Sequence, residues 1–232
     1  MDINGDGHLD IFSGSYSRTK VKPMAGLFHV LYGDGEGKFS EAKALNGTDG
    51  NPLIIPLPEP RDIATVVCTR PSAVDWDGDG DLDIVSGNFK GTFFYFEGQG
   101  DGKFVPLPKK MTFKDGKEMK LPKDYHSDPF PVDWDGDGDI DLLSGSAEGK
   151  VFLAMNTAGK GKLPEFESFE MLLDDNPAES IKDITDRRAT RVWADDLNGD
   201  GKMDLLVGDR FSQTSADGNR MSSGTVWKYL QK

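Results

Sequence analysis

A nine-residue motif, D-x-[DN]-G-D-G-x-x-D, occurs four times in the chain, and its copies start 73, 58 and 63 residues apart. Self-similarity at a roughly constant period is typical of repeat architectures, in which each repeat is one supersecondary unit that packs against its neighbours. The motif therefore restricts the chain to an array of similar units. The four copies are Asp2–Asp10, Asp75–Asp83, Asp133–Asp141 and Asp196–Asp204.

The motif has the chemistry of a site for a hard cation. Side-chain oxygens at positions 1, 3 and 5 converge on one point if the chain curls tightly, and Gly at position 6 permits the positive φ that the curl needs. Position 9 is Asp in all copies, and we expect it to close the site. Position 7 is occupied by His8, Asp81, Asp139 and Lys202, so we expect its backbone carbonyl to be the ligand.

The predicted cofactor is Ca²⁺, with up to four ions per chain. The predicted ligands are Asp2, Asn4, Asp6, His8, Asp10, Asp75, Asp77, Asp79, Asp81, Asp83, Asp133, Asp135, Asp137, Asp139, Asp141, Asp196, Asn198, Asp200, Lys202 and Asp204.

Other interpretations of the motif fit less well. An EF-hand needs Glu at position 12, where this chain has Ser13, Ser86, Ser144 and Val207. Simple solvated turns would leave several carboxylates close together without a compensating cation, which is electrostatically unfavourable. Mg²⁺ is less suited than Ca²⁺ to an all-protein oxygen cage.

Strand-like segments surround every loop. A strand follows each loop, and another precedes it where the sequence exists, including Ala64–Val74. A third strand is predicted to begin at a glycine after the next turn, as at Gly91 and Gly149. A fourth is predicted to begin at an aromatic residue after a glycine-rich turn, as at Phe39, Phe104 and Phe166. Several of these segments are apolar on both faces, which is typical of strands buried between stacked sheets.

These patterns predict an all-β fold, a β-propeller of four-stranded antiparallel blades. Helix signals are nearly absent, and the segment 174–186 is predicted to be a loop or a single helical turn. The whole chain, residues 1–232, is predicted to be one propeller domain or a piece of one. Its predicted blades span about 1–60, 61–122, 123–185 and 186–232.

The loops and their flanking strands resemble the FG-GAP or VCBS-type repeats of Ca²⁺-binding propellers, which include the integrin α-subunit head. The resemblance implies that loop positions 1, 3, 5 and 9 are metal ligands. It also implies about seven blades, with the remainder in a longer or partner chain; a closed four-bladed ring is the alternative. The family's Gly-Ala-Pro after the second strand is replaced here, for example by Gly87-Asn88-Phe89, which favours a bacterial VCBS variant.

Composition excludes several classes of partner. The net charge of −13 argues against nucleic acid. No stretch is apolar for long enough to be inserted in a membrane, and no signal segment is present. The motif stands at the start of the chain, so we expect a piece of something longer. The single cysteine, Cys68, excludes an internal disulfide framework and is expected to be a small buried side chain.

We expect ligands to bind at the end of the blades opposite the metal sites. The long connections lie at that end, and long loops on a rigid scaffold are where binding usually occurs. Arg70, Tyr125, His126 and Arg191 lie near the starts of the first strands and are candidates to bind an anionic or sugar ligand; ordinary ion-paired lining is the alternative. Trp76 and Trp134 are predicted to be packing residues.

Familiar catalytic motifs are absent from the sequence. We therefore predict a non-catalytic module for adhesion or recognition of a protein or glycan, located in a secreted, periplasmic or cell-surface setting where Ca²⁺ is plentiful. The alternatives are a propeller domain of a polysaccharide lyase or other sugar-modifying enzyme, and a purely structural subunit.

Overall fold

The computed structural model describes residues 1–16, 25–58, 62–174, 185–214 and 217–232. Within these ranges the fold is all-β, with four antiparallel sheets and one short helix. We call the sheets blades 1 to 4 in chain order. No helix in the described ranges is long and apolar enough to cross a membrane.

Two blades have three strands and two have four. Blade 1 contains β1 (Ile11–Gly14), β2 (Phe28–Leu31) and β3 (Lys43–Ala44). Blade 2 contains β4 (Arg70–Val74), β5 (Asp83–Gly87), β6 (Phe94–Phe96) and β7 (Lys109–Lys110). Blade 3 contains β8 (Asp128–Val132), β9 (Asp141–Gly145), β10 (Val151–Ala154) and β11 (Glu170–Leu173). Blade 4 contains β12 (Thr185–Asp195), β13 (Asp204–Thr214) and β14 (Arg220–Tyr229).

The hydrophobic core lies between successive blades rather than inside one sheet. Between blades 1 and 2, Phe28 packs edge-on against Phe96, with ring centroids 5.3 Å apart. Equivalent clusters lie between blades 2 and 3 and between blades 3 and 4. The two middle strands of blades 2 and 3 are therefore covered on both faces, as their two-sided apolar pattern predicts. These strands are β5, β6, β9 and β10.

A buried hydroxyl joins each blade to the one before it. Ser127 Oγ accepts a hydrogen bond from the Asn88 backbone N–H (3.0 Å) and donates to the Thr92 carbonyl (2.8 Å). Thr69 and Thr190 make the same pair of contacts to blades 1 and 3. We call Thr69, Ser127 and Thr190 the junction hydroxyls. They connect the first strand of one blade to the preceding blade.

The junction explains why glycine ends the second strand. A Cβ on Gly14, Gly87 or Gly145 would lie only 2.0, 2.1 or 2.3 Å from the backbone carbonyl oxygen of the junction residue that it faces. Real Cβ atoms do not approach so closely. Glycine is therefore required by the close approach of two backbones at this position.

The structure corrects the predicted segment Ala64–Val74. Its first part is not a strand but the helix α1 (Ile63–Val66), whose N-cap Asp62 accepts a hydrogen bond from the Ala64 N–H. Cys68 follows with a positive φ of 61°, and it is half-buried rather than fully buried. A capping aspartate and a left-handed residue thus delay the strand until Arg70.

The predicted starts of the fourth strands are also wrong. Phe39, Phe104 and Phe166 form isolated bridges just beyond the third strand, and the fourth strands begin later, at Lys43, Lys109 and Glu170. In blade 4 the second and third strands are long, because β13 runs to Thr214 and β14 starts at Arg220, so that residues 215–219 alone separate them. The loop predicted at 174–186 lies mostly outside the described residues.

Candidate metal centre

The four acidic loops share one backbone conformation. The glycines at positions 4 and 6 all have positive φ, from 73° at Gly5 to 96° at Gly80. The carboxylate at position 1 accepts N–H bonds from both of these glycines; Asp133, for example, accepts from Gly136 (2.8 Å) and Gly138 (3.0 Å). The predicted curl is confirmed, and glycine is the residue that adopts it without strain.

Two of the loops bring three carboxylates together. In the second loop, oxygens of Asp75, Asp77 and Asp83 all lie within 4.8 Å of one another. In the third loop, Asp133, Asp135 and Asp141 do the same. These residues are positions 1, 3 and 9 of the motif. Oxygen-only donors at this spacing fit a hard divalent cation such as Ca²⁺.

The electrostatics of these two loops favour a bound cation. Burial raises the pKa of Asp83 and of Asp141 to about 6. The pKa of Asp77 is raised first by burial and then by its neighbour Asp79. Carboxylates held close together and partly out of water resist ionisation unless a positive charge compensates them. The fold therefore places negative charge where a cation would stabilise it.

The first and last loops have a different charge balance, because Asn replaces Asp at position 3. Asn4 donates from Nδ2 to Asp6 (2.9 Å), and Asn198 donates in the same way to Asp200 (3.2 Å). The pKa of Asp6 is lowered, mainly by this contact with Asn4. The pKa of Asp196 is lowered by backbone N–H bonds, of which that from Gly201 is the largest. In the first loop the Asn4 amide therefore stabilises the ionised form of Asp6, whereas position 3 of each middle loop is itself a carboxylate.

The aspartate at position 9 has a structural role that the sequence did not indicate. Asp141 accepts the Trp134 N–H (2.9 Å) with one oxygen and the Asn156 N–H (2.7 Å) with the other. Asp10, Asp83 and Asp204 make the same two contacts. Each position-9 carboxylate is buried and ties the loop to the end of the third strand. No local sequence signal could have identified this distant N–H partner.

The remaining predicted ligands lie around these clusters. At position 5, Asp79 and Asp137 are exposed and accept the N–H of position 7. At position 7, Asp139 is 4% exposed; one of its oxygens accepts the Gly159 N–H, and the other is buried without a partner among the described residues. The role of the position-7 backbone carbonyl stays a prediction.

The two arginines among the four candidate ligand-binding residues lie near one acidic side chain, that of Asp128. Arg191 Nε lies 3.2 Å from an Asp128 carboxylate oxygen. Arg70 donates to the His126 carbonyl (3.1 Å), and the His126 ring packs against Tyr125 with centroids 5.0 Å apart. Burial, and then the two arginines, lower the pKa of His126 to about 4, so its ring is neutral at pH 7. Ligand binding there stays a prediction.

The predicted packing role of the loop tryptophans agrees with the structure. Trp76 is 3% exposed and packs against Phe166 across the boundary between blades 2 and 3, with ring centroids 5.9 Å apart. Trp134 is half-buried against the cluster between blades 3 and 4.

The chain matches one family model, described as an FG-GAP-like repeat, over residues 75–144 and again over 133–207. Each match begins at the first aspartate of one of the carboxylate clusters and extends through the following loop. No curated protein matches the chain. The VCBS subtype stays a prediction.

Proposed function

The chain belongs to the FG-GAP-like repeat family, and from this premise we propose that it is a calcium-binding propeller module that recognises a protein or a glycan. The observation that carries the proposal is the pair of carboxylate clusters, Asp75/Asp77/Asp83 and Asp133/Asp135/Asp141. The two clusters recur at equivalent places in adjacent blades, which supports a purpose common to the repeat.

We propose that loops 2 and 3 bind Ca²⁺ more tightly than loops 1 and 4. Asp occupies all five odd positions of the middle loops, whereas Asn occupies position 3 of the outer loops, whose position 7 carries no carboxylate either. Affinity of oxygen-ligand sites for Ca²⁺ rises with the number of charged ligands. A bound ion would neutralise the clustered carboxylates and fix the loop that joins the first two strands of each blade.

The proposed recognition surface lies at the end of the blades opposite the metal loops. Arg70 and Arg191 there bring two positive charges near Asp128. Arg191 is exposed, which leaves its guanidinium accessible to a carboxylate or sulfate group. The Phe89 and Tyr125 rings pack against each other with centroids 5.9 Å apart, and Tyr125 directly precedes His126, whose carbonyl accepts a hydrogen bond from Arg70. Such a mixture of charge and aromatic surface suits an acidic sugar chain.

The proposed location is outside the cytoplasm. FG-GAP-like repeats are typical of extracellular proteins, and sites of modest affinity stay filled where Ca²⁺ is millimolar. Secreted, periplasmic and cell-surface settings all meet this condition.

Thermal unfolding with and without metal tests the calcium proposal. After treatment with a chelator, millimolar Ca²⁺ should raise the melting temperature, because a ligand that binds only the native state stabilises it. Mg²⁺ should raise it less. Asp77→Asn should reduce the Ca²⁺-dependent rise, whereas Asp101→Asn, a matched control at an exposed turn of the same blade, should not. An identical melting temperature in chelator and in Ca²⁺ would contradict the proposal.

Binding to a glycan array tests the recognition proposal separately. Acidic oligosaccharides should be retained by the wild-type protein and lost in the Arg191→Gln variant, when both are assayed in Ca²⁺ well below the melting temperature of the variant. Mass spectrometry of the recovered oligosaccharides distinguishes binding from catalysis, since cleaved or modified products would indicate an enzyme. Absence of any saturable glycan or protein ligand would favour a purely structural role.

A further inference from the structure

One turn of blade 3 touches two of the acidic loops, the second (loop 2, Asp75–Asp83) and the third (loop 3, Asp133–Asp141). The turn spans residues 156–166, between β10 and β11, and Asn156 and Phe166 form a bridge across its base. Thr157 donates its N–H to the Glu165 carbonyl at 2.9 Å. These contacts join the two arms of the turn, which we call the linking turn.

The linking turn is attached at two points to loop 3, which belongs to the same blade. Asp141, at position 9, accepts the Asn156 N–H at 2.7 Å. Asp139, at position 7, accepts the Gly159 N–H at 3.1 Å. Asp139 is only 4% exposed, so water competes little for this bond. The first arm of the linking turn therefore follows any movement of these two carboxylates.

The tip and the far end of the linking turn lie against loop 2 of the preceding blade. A Cβ on Gly78, at position 4 of loop 2, would lie 2.5–2.6 Å from three backbone atoms of Gly161. Trp76, at position 2, packs against Phe166 with ring centroids 5.9 Å apart. Close-packed groups transmit displacement because they leave little room to yield. Loop 2 and the linking turn are therefore mechanically connected.

The loop 2 residues that touch the linking turn also hold the carboxylates of that loop. Gly78 donates its N–H to Asp75 at 2.9 Å, and Trp76 donates its N–H to Asp83 at 2.8 Å. Asp75 and Asp83 both belong to the loop 2 cluster. Direct contacts thus run from the carboxylates of loop 2, through the linking turn, to those of loop 3.

The aspartates at position 5 supply a movement that these contacts would carry. Asp79 and Asp137 are not among the clustered carboxylates, so each must turn inward to become the ligand that the motif predicts. Asp137 accepts the Asp139 N–H at 3.0 Å, and Asp79 directly follows Gly78 in the chain. Filling either loop would therefore shift a residue that the linking turn contacts, Gly78 in loop 2 or Asp139 in loop 3.

From these contacts we propose that loops 2 and 3 bind Ca²⁺ cooperatively and that the linking turn carries the coupling. This inference rests on the proposed function, calcium binding by both loops. The first ion fixes the linking turn against its own loop, so the second ion has fewer groups left to order and binds more tightly. Coupling between two sites is reciprocal, so each ion raises the affinity of the other loop by the same factor.

Amide NMR of isotope-labelled protein measures the two loops separately. Gly80 and Gly138, at position 6, each donate an N–H to the position-1 carboxylate of their own loop, so their amide signals report its filling. Chelator-treated protein is titrated with Ca²⁺, and half-saturation of both signals is read from the same spectra. The variant Asp133→Asn/Asp135→Asn removes two charges from loop 3, so that loop 2 fills while loop 3 is still empty.

We expect half-saturation of the Gly80 signal to need roughly threefold more Ca²⁺, or more, in this variant than in the wild type. The reverse variant, Asp75→Asn/Asp77→Asn, should move the Gly138 signal to higher Ca²⁺ as well, because the coupling is reciprocal.

A matched pair of variants separates the linking turn from simple charge effects. Asp139→Ala and Asp139→Asn remove the same charge, but an asparagine oxygen can still accept the Gly159 N–H. Half-saturation of the Gly80 signal should therefore lie at higher Ca²⁺ in Asp139→Ala than in Asp139→Asn, although the substituted residue lies in the other loop.

The outcomes distinguish failure of the coupling from failure of calcium binding. Signals that move with Ca²⁺ but give the same Gly80 half-saturation in the wild type and in Asp133→Asn/Asp135→Asn would overturn the coupling and leave the metal sites standing. Equal half-saturation in Asp139→Ala and Asp139→Asn would overturn the role of the linking turn. Glycine signals that do not move at millimolar Ca²⁺ would overturn the proposed function and the coupling together.

Discussion

Replacing Gly87 by alanine tests how the blades are held together. The new Cβ would lie 2.1 Å from the Ser127 carbonyl oxygen and 2.6 Å from its carbonyl carbon. Both atoms belong to the backbone of the next blade and cannot rotate away, so β8 must move by more than 1 Å to reach ordinary contact at 3.4 Å. Gly87 does not have a positive φ, so the cost comes from contact and not from backbone strain.

The expected loss of stability follows from two contributions. Forcing extra atoms into a packed interface costs about 1–3 kcal/mol. Displacing Ser127 also weakens its bonds to Asn88 and Thr92, which are worth about 1 kcal/mol each. The sum is about 3–5 kcal/mol, which lowers the melting temperature of a chain of this size by roughly 10 °C.

Thermal unfolding in saturating Ca²⁺, followed by circular dichroism, measures this loss. Gly208→Ala is the matched control and should change the melting temperature by less than about 2 °C, since its Cβ meets nothing closer than 3.9 Å. Equal effects of the two substitutions, or no effect of Gly87→Ala, would refute the explanation of blade packing given above.

Two further predictions concern the acidic loops. Because burial raises the pKa of Asp83 and Asp141 to about 6, the folded state binds their protons more tightly than the unfolded chain. Urea unfolding in chelator should therefore show stability falling as the pH rises from about 4 to about 6, and Ca²⁺ should suppress this fall. Asp141→Ala should lower the free energy of unfolding by about 2–4 kcal/mol even in chelator, because two buried N–H groups lose their acceptor. Asp135→Ala should lower the free energy of unfolding only in Ca²⁺. Equal losses for the two variants in chelator would contradict a structural role for Asp141 and a metal-binding role for Asp135.

Much of the fold could be predicted because its signals are local. Asp and Gly at fixed spacing determine the curl of each loop, and the apolar runs after each loop form the second strands. These segments lie at Ile11–Gly14, Asp83–Gly87, Asp141–Gly145 and Asp204–Thr214. The signals for the curl lie within one nine-residue motif and those for the strand directly after it, so no tertiary contact was needed to find them.

What could not be predicted depends on contacts between distant residues. The junction hydroxyl Ser127 is 39 residues from its partner Asn88, and nothing in the local sequence marks either residue. The left-handed conformations of Cys68, His126 and Ala189 occur just before the junction hydroxyls, in residues that rarely adopt them. The packing of the junction selects this conformation against local preference, which explains why the predicted strand from Ala64 was wrong.

A direct count of bound calcium tests the central claim. Chelator-treated protein is dialysed to equilibrium against Ca²⁺ over the micromolar to millimolar range, and bound metal is measured by atomic emission. We expect the wild-type chain to bind at least two ions at saturation. The double variant Asp77→Asn/Asp135→Asn, whose position 3 then matches that of loops 1 and 4, should bind its two tightest ions more weakly, so that half-saturation moves to a higher Ca²⁺ concentration. A chain that binds no calcium at millimolar concentration, or a double variant that binds calcium as tightly as the wild type, would contradict the assignment of these loops as calcium sites.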